Sequence, residues 1–128
     1  MSDITFKMTV ATNVGLVRSN NEDNFIVNPD LTQRDGWYAP GNADDVIALG
    51  ENGCVMIVAD GMGGMNAGEV ASELAVNSIR DTFSQVKDFS QVTDCSNHVE
   101  VFMKKAIVAA DAEIKKRVKE DSSTSGMG

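Results

Sequence analysis

An α+β fold, with antiparallel β-strands covered by an antiparallel helix pair, is the class this sequence predicts, and three observations carry the prediction. In the first half of the chain apolar residues alternate with polar ones or fall in short runs, which is a strand signal. In the second half they recur at intervals of three and four over two long stretches, which is a helix signal. Strands precede helices without regular βα alternation, and that order favours an antiparallel sheet.

Residues 5–12 (TFKMTVAT) alternate Phe6, Met8 and Val10 with Lys7 and Thr9, as a half-buried strand does. Residues 13–23 interrupt the pattern, and a short strand at residues 24–28 (NFIVN) then ends at Pro29. From residue 30 to residue 53 turn signals dominate, namely Asp35-Gly36, Pro40-Gly41, Gly50 and Asn52-Gly53. Within that region residues 46–49 read as one further short strand. Asn52-Gly53 is the dipeptide of a type I′ hairpin, so VIALGENGCVMIVAD is expected to fold back on itself. Residues 55–59 (VMIVA) would be the central strand.

Asn66 and Glu69 have the spacing of a capping box. Val70, Leu74, Ala75, Ile79, Phe83 and Val86 then predict an amphipathic helix over residues 67–86. A second helix, starting near Ser96 or Asn97, gathers Val99, Phe102, Met103, Ala106, Ile107, Ala110, Ile114 and Val118 on one face. The tail from Ser122 to Gly128 is polar and flexible by composition.

The 128 residues are 42% hydrophobic and 23% charged, enough for one domain with its own core or equally for half of something larger. With 19 acidic against 11 basic residues the net charge is −8, which argues against a nucleic-acid surface. No run approaches the roughly 18 apolar residues of a membrane span, and MSDITFKMTV lacks the order of a signal peptide. A cytoplasmic protein with no membrane span is expected. Cys54, Cys95 and the single His98 do not make a zinc pattern, and both cysteines read as buried thiols rather than a disulfide.

Chemistry concentrates elsewhere. The stretch VADGMGG, residues 58–64, runs from an apolar strand into an acid and then into three glycines. A carboxylate at a strand end beside a turn that lets the backbone approach a ligand suggests a hard cation, a phosphate, or both. Glu22-Asp23 is a second acidic pair. Magnesium and manganese take oxygen ligands and keep several waters, so Asp60, Glu22 and the Gly61 carbonyl could hold one. Arg18, four residues before Glu22, offers a planar fork suited to phosphate oxygens. Each feature alone has a plainer reading, as turn chemistry or a solvated side chain. Together they point to an anionic substrate bridged by metal.

The segments VGLVRSNNEDNF, VADGMGG and AGEVAS together resemble the N-terminal part of the metal-dependent protein phosphatase 2C family in its bacterial form. The matching residues are Gly15, Arg18, Asn21-Glu22-Asp23, residues 58–64, Gly68-Glu69 and Gly126-Met127-Gly128, in family order. The resemblance implies a four-layer α-β-β-α sandwich, to which this chain would supply several strands and one helix pair. It also implies a serine/threonine phosphoprotein phosphatase that hydrolyses phosphomonoesters with a water activated by two Mg²⁺ or Mn²⁺ ions. Asp60 would bridge both ions, Glu22 would ligate one, and the Gly61 carbonyl would ligate the other. Asp23 would hold metal-bound water, and Arg18 would grip the phosphate of phosphoserine or phosphothreonine.

Two departures follow from the same resemblance. Met62 stands where eukaryotic members often have a histidine proposed as the acid, and a thioether donates no proton. Bacterial-type members also carry methionine there, so water or another group would serve. The family's catalytic domain extends further and carries its other metal-binding aspartates beyond this point. Residues 1–128 are therefore expected to be the N-terminal portion of a single catalytic domain truncated after Gly128, inactive without its C-terminal half. A non-catalytic phosphatase-like binding module is the alternative. A receiver-type domain is disfavoured, because the repeated βα alternation is missing.

Overall fold

In the computed structural model, residues 4–31, 36–37, 43–64, 67–89, 92 and 96–128 are described, apart from the side chains of Phe6, residues 43–48, Ser96 and Asn97. Four strands come first: β1 (Thr5–Val10), β2 (Asp23–Asn28), β3 (Ala43–Ala48) and β4 (Val55–Asp60). Two helices follow, α1 (Ala67–Ser84) and α2 (Ser96–Glu120), and then a 3₁₀ turn at Ser122–Thr124. The predicted α+β class is the one observed.

The strands form two antiparallel pairs. β1 pairs with β3, from Thr5 opposite Ala48 to Val10 opposite Ala43, and β2 pairs with β4, from Asp23 opposite Asp60 to Asn28 opposite Val55. The hairpin expected between β3 and β4 is therefore not made. A turn does form there, but over residues 50–53: the Gly53 N–H donates to the Gly50 carbonyl at 3.0 Å, so Glu51 and Asn52 are its central residues and Gly53, at φ 80°, follows them instead of being the second central residue of a type I′ turn. But the Gly53 carbonyl accepts from the Leu31 N–H at 3.0 Å, which ties the turn to the segment after β2. The turn passes the chain from one sheet to the other.

Side-chain alternation along β2 explains the layering. Ile26 faces one way, into a core with Ile57, Val76, Ile79, Phe83, Ala106 and Ala110. Phe25 and Val27 face the other way and pack with Met8 and Val10 of β1. The helix pair, the β2–β4 sheet and the β1–β3 sheet are thus three successive layers. β2 is covered on both faces, whereas β4, expected to be the central strand, pairs only with β2 among the described residues and is covered on one face, with Val58 80% exposed. Each large core side chain buried this way contributes about 1.5–3 kcal/mol.

Phe83 locks the helices together. Its ring meets Phe102 edge-on at 4.9 Å, Trp37 edge-on at 6.0 Å, and stacks on Phe89 at 6.3 Å. The end of α1 therefore meets the start of α2, and Ala67 and Ala71 at the start of α1 pack with Ile114 and Val118 near the end of α2. The pair is antiparallel, as expected. The predicted apolar face of α2 is only partly used, since Val99 and Ile107 are 40% and 56% exposed. Helix α1 stops at Ser84 rather than residue 86, where the Val86 N–H donates to the Phe83 carbonyl at 3.1 Å. The capping box lies outside the description, because Asn66 does.

The tail is not loose. Asp121 accepts hydrogen bonds from the Ser123 N–H at 2.9 Å and the Ser123 hydroxyl at 2.6 Å, Thr124 is buried, and Met127 is buried against Ala67 and Ala71. These Ser123 bonds hold the Asp121 carboxyl below the usual carboxylate range. A depressed pKa means that the stabilisation is present above the unfolded value and is lost as pH falls through the folded one. Asp121→Ala should therefore lower stability in denaturant titrations at neutral pH, and the gap to the parent chain should close in strong acid.

Candidate active site

Asp23 opens β2 and Asp60 closes β4, and the register sets them directly opposite each other. Opposed residues of an antiparallel pair share a face with Cβ atoms about 4.5–5.5 Å apart, so two like charges confront each other at one end of the sheet. Neither forms an ion pair among the described residues. The ladder runs one step further, with the Gly61 N–H donating to the Glu22 carbonyl at 3.1 Å. Residues 22, 23, 60 and 61 are thereby fixed as a block.

Glycine is required where this block meets α1. A Cβ on Gly61 would collide with the Gly68 carbonyl and lie 2.9 Å from the Glu22 carbonyl oxygen. A Cβ on Gly68 would lie 2.5 Å from Glu22 Oε1. The Glu22 carboxylate consequently lies against the first turn of α1, where the helix macrodipole favours negative charge. Its other oxygen, Oε2, is 3.5 Å from Arg18 Nη1, a loose contact in which the arginine side chain is 77% exposed. A pair so exposed contributes little, and it leaves the guanidinium available to an anion.

Asn21 ties down the loop that carries Arg18. Its Nδ2 donates to Thr12 Oγ1 at 2.5 Å, and its Oδ1 accepts from the Asp23 N–H at 3.1 Å, so both ends of the loop are held by one side chain. An asparagine two residues before a strand is the local signal for that structural role. Met62 is pinned through its backbone: its N–H donates to the Gly128 carbonyl at 2.7 Å, and the Gly128 N–H donates to the Met62 carbonyl at 2.8 Å. The Met62 side chain remains 69% exposed.

A cleft of about 610 Å³ brings Arg18, Glu22, Asp23, Asp60, Gly61 and Met62 together. Every residue singled out for the site lines it. The donors are all oxygen and mostly anionic, which suits a hard divalent cation rather than zinc. Among the described residues, however, no three His, Cys, Asp or Glu side chains converge as a group that could hold a metal ion. Cys54 is a free thiol, and burial pushes its pKa up, which makes it a poor nucleophile. Cys95 lies outside the described residues. No helix among them is long and apolar enough to cross a membrane.

Set beside known proteins, a chain with this site is similar to serine/threonine phosphatases, as its motifs implied. Its relatives include the serine/threonine phosphatase stp of Listeria monocytogenes serovar 1/2a, 29% identical over 117 residues, and that of Listeria welshimeri, 28% identical over 117 residues. Both alignments cover 91% of this chain and 37% of the relative. The counterpart in Listeria innocua is 34% identical over 74 residues, covering 58% of this chain and 28% of the relative. The chain thus spans little more than a third of the first two curated relatives, at 37%. No family model matches it.

Proposed function

We propose that this chain forms part of a Mg²⁺- or Mn²⁺-dependent serine/threonine phosphoprotein phosphatase of the 2C type. The observation that carries the reading is the opposed Asp23–Asp60 pair, set in one cleft with Glu22 and Arg18. Two unpaired carboxylates held face to face gain from a cation placed between or beside them, and an adjacent guanidinium suits the anion that such a cation attracts. The likeness to proteins named as serine/threonine phosphatases supports the same chemistry. Bound metal would supply an acidified water and charge neutralisation for in-line attack on phosphorus. Asp60, Glu22 and the Gly61 carbonyl would hold the ions, Asp23 would orient water, and Arg18 would bind phosphate oxygens. Met62 transfers no proton, so water or another group would have to protonate the leaving alkoxide.

The test is hydrolysis of a phosphoserine peptide with Mn²⁺ by the complete catalytic domain that carries this chain, compared with its Arg18→Ala variant. Loss of the fork should raise KM about tenfold, with a smaller change in kcat, because the arginine contributes ground-state as well as transition-state binding. An effect confined to kcat would assign Arg18 another role. Peptide binding without turnover in the parent would favour a non-catalytic module.

A further inference from the structure

We propose that Gly68 is a positioning residue whose missing side chain sets where the Glu22 carboxylate lies, an inference that rests on the cation-binding role of Glu22 given above. Gly68 is the second residue of an 18-residue helix, where glycine is a poor choice on propensity grounds. Space, rather than helix formation, explains it. A Cβ at this position would sit 2.5 Å from Glu22 Oε1, 2.6 Å from Cδ and 3.0 Å from Cγ. On its other side the Gly68 carbonyl is the surface against which Gly61 packs without a side chain. Gly68 therefore separates two of the groups assigned to the cation, the Glu22 carboxylate and the Gly61 backbone, and sets how close they come.

What an alanine at position 68 would displace decides its effect. The three nearest atoms all belong to the Glu22 side chain, whose end can rotate. The helix should survive Gly68→Ala while the carboxylate is pushed from its seat. A purely structural glycine would behave in the opposite way, losing stability and leaving Glu22 undisturbed.

The experiment compares Gly68→Ala with its parent by NMR, first without metal in the 128-residue chain and then, titrated with Mn²⁺, in the complete catalytic domain that carries this chain. Expected are a melting temperature no lower than that of the parent, a shifted Glu22 carboxylate ¹³C resonance before any metal is added, and Mn²⁺ affinity weaker by on the order of tenfold. In a Glu22→Gln background, Gly68→Ala should change Mn²⁺ affinity no further. An unmoved carboxylate resonance, or an equal loss of affinity in that background, overturns the inference. Should Gly68→Ala unfold the chain, the double variant Glu22→Ala/Gly68→Ala should restore the melting temperature, and failure to do so also overturns it. If Mn²⁺ does not broaden the parent's Glu22 and Asp60 signals, the cation reading fails, while the metal-free carboxylate shift still decides the positioning role.

Discussion

Asp60→Asn should raise the melting temperature of this chain while abolishing Mn²⁺-dependent hydrolysis in the complete domain. The two effects share one cause. Asp60 stands directly across the β2–β4 ladder from Asp23, and like charges opposed in this way destabilise a sheet. Removing one charge should return about 0.5 kcal/mol, or roughly 2 °C in a domain of this size. The same charge is the one assigned to both metal ions, and an amide cannot replace it, so turnover should fall by at least about a thousandfold. Opposite signs for stability and activity are what a residue kept for function, at a cost to folding, should show. Calorimetry on this chain and a phosphopeptide assay on the complete domain decide it. A lower melting temperature with near-parent turnover would make the pair structural.

Legibility in the sequence follows the range of the forces involved. β4 and α1 were readable because their signals are local: an apolar run ending in Asp60-Gly61, and a helical repeat from Val70 to Phe83. Asn52-Gly53 was equally local and marked a turn, which forms one residue earlier than expected, but it could not say which strands would pair. That choice was made by β2, whose two apolar faces recruit the helices on one side and Met8 of β1 on the other. The helical repeat of α2 is wider than the surface it meets, so Ile107 is left beside Val58, lining a groove of about 620 Å³ between α2 and β4.

The site shows the same division. Arg18, Glu22, Asp23 and Asp60 were readable because each carries its chemistry on its own side chain. Gly68 was not, since its reason is a carboxylate from a distant part of the chain lying 2.5 Å from where its Cβ would be. The docking of Met127 against α1 is hidden for a related reason. A polar tail suggested flexibility, and the lone apolar residue within it was the signal that it docks.

Gly61→Ala should be far more damaging than Gly68→Ala, although both place one methyl in the same seam. At position 61 the new Cβ meets backbone on both sides, the Gly68 carbonyl and the Glu22 carbonyl oxygen. Neither can swing away as a side chain can. The Gly61 N–H is itself bonded to that Glu22 carbonyl at 3.1 Å, so relief requires breaking the last rung of the ladder or lifting the start of α1. Overpacking against backbone should cost about 3 kcal/mol, lowering the melting temperature by roughly 10 °C. The damage should also spread along the chain, because residue 62 is paired with Gly128 and that pairing helps to keep Met127 buried against α1. Amide hydrogen exchange at Met62 and Gly128 should accelerate accordingly. Gly64→Ala is the control, since a side chain there meets nothing within 4 Å. If Gly61→Ala instead melts with the parent and keeps both amides protected, the turn after β4 can shift as a unit. The residue-61 carbonyl would then not be held firmly enough to serve as a metal ligand.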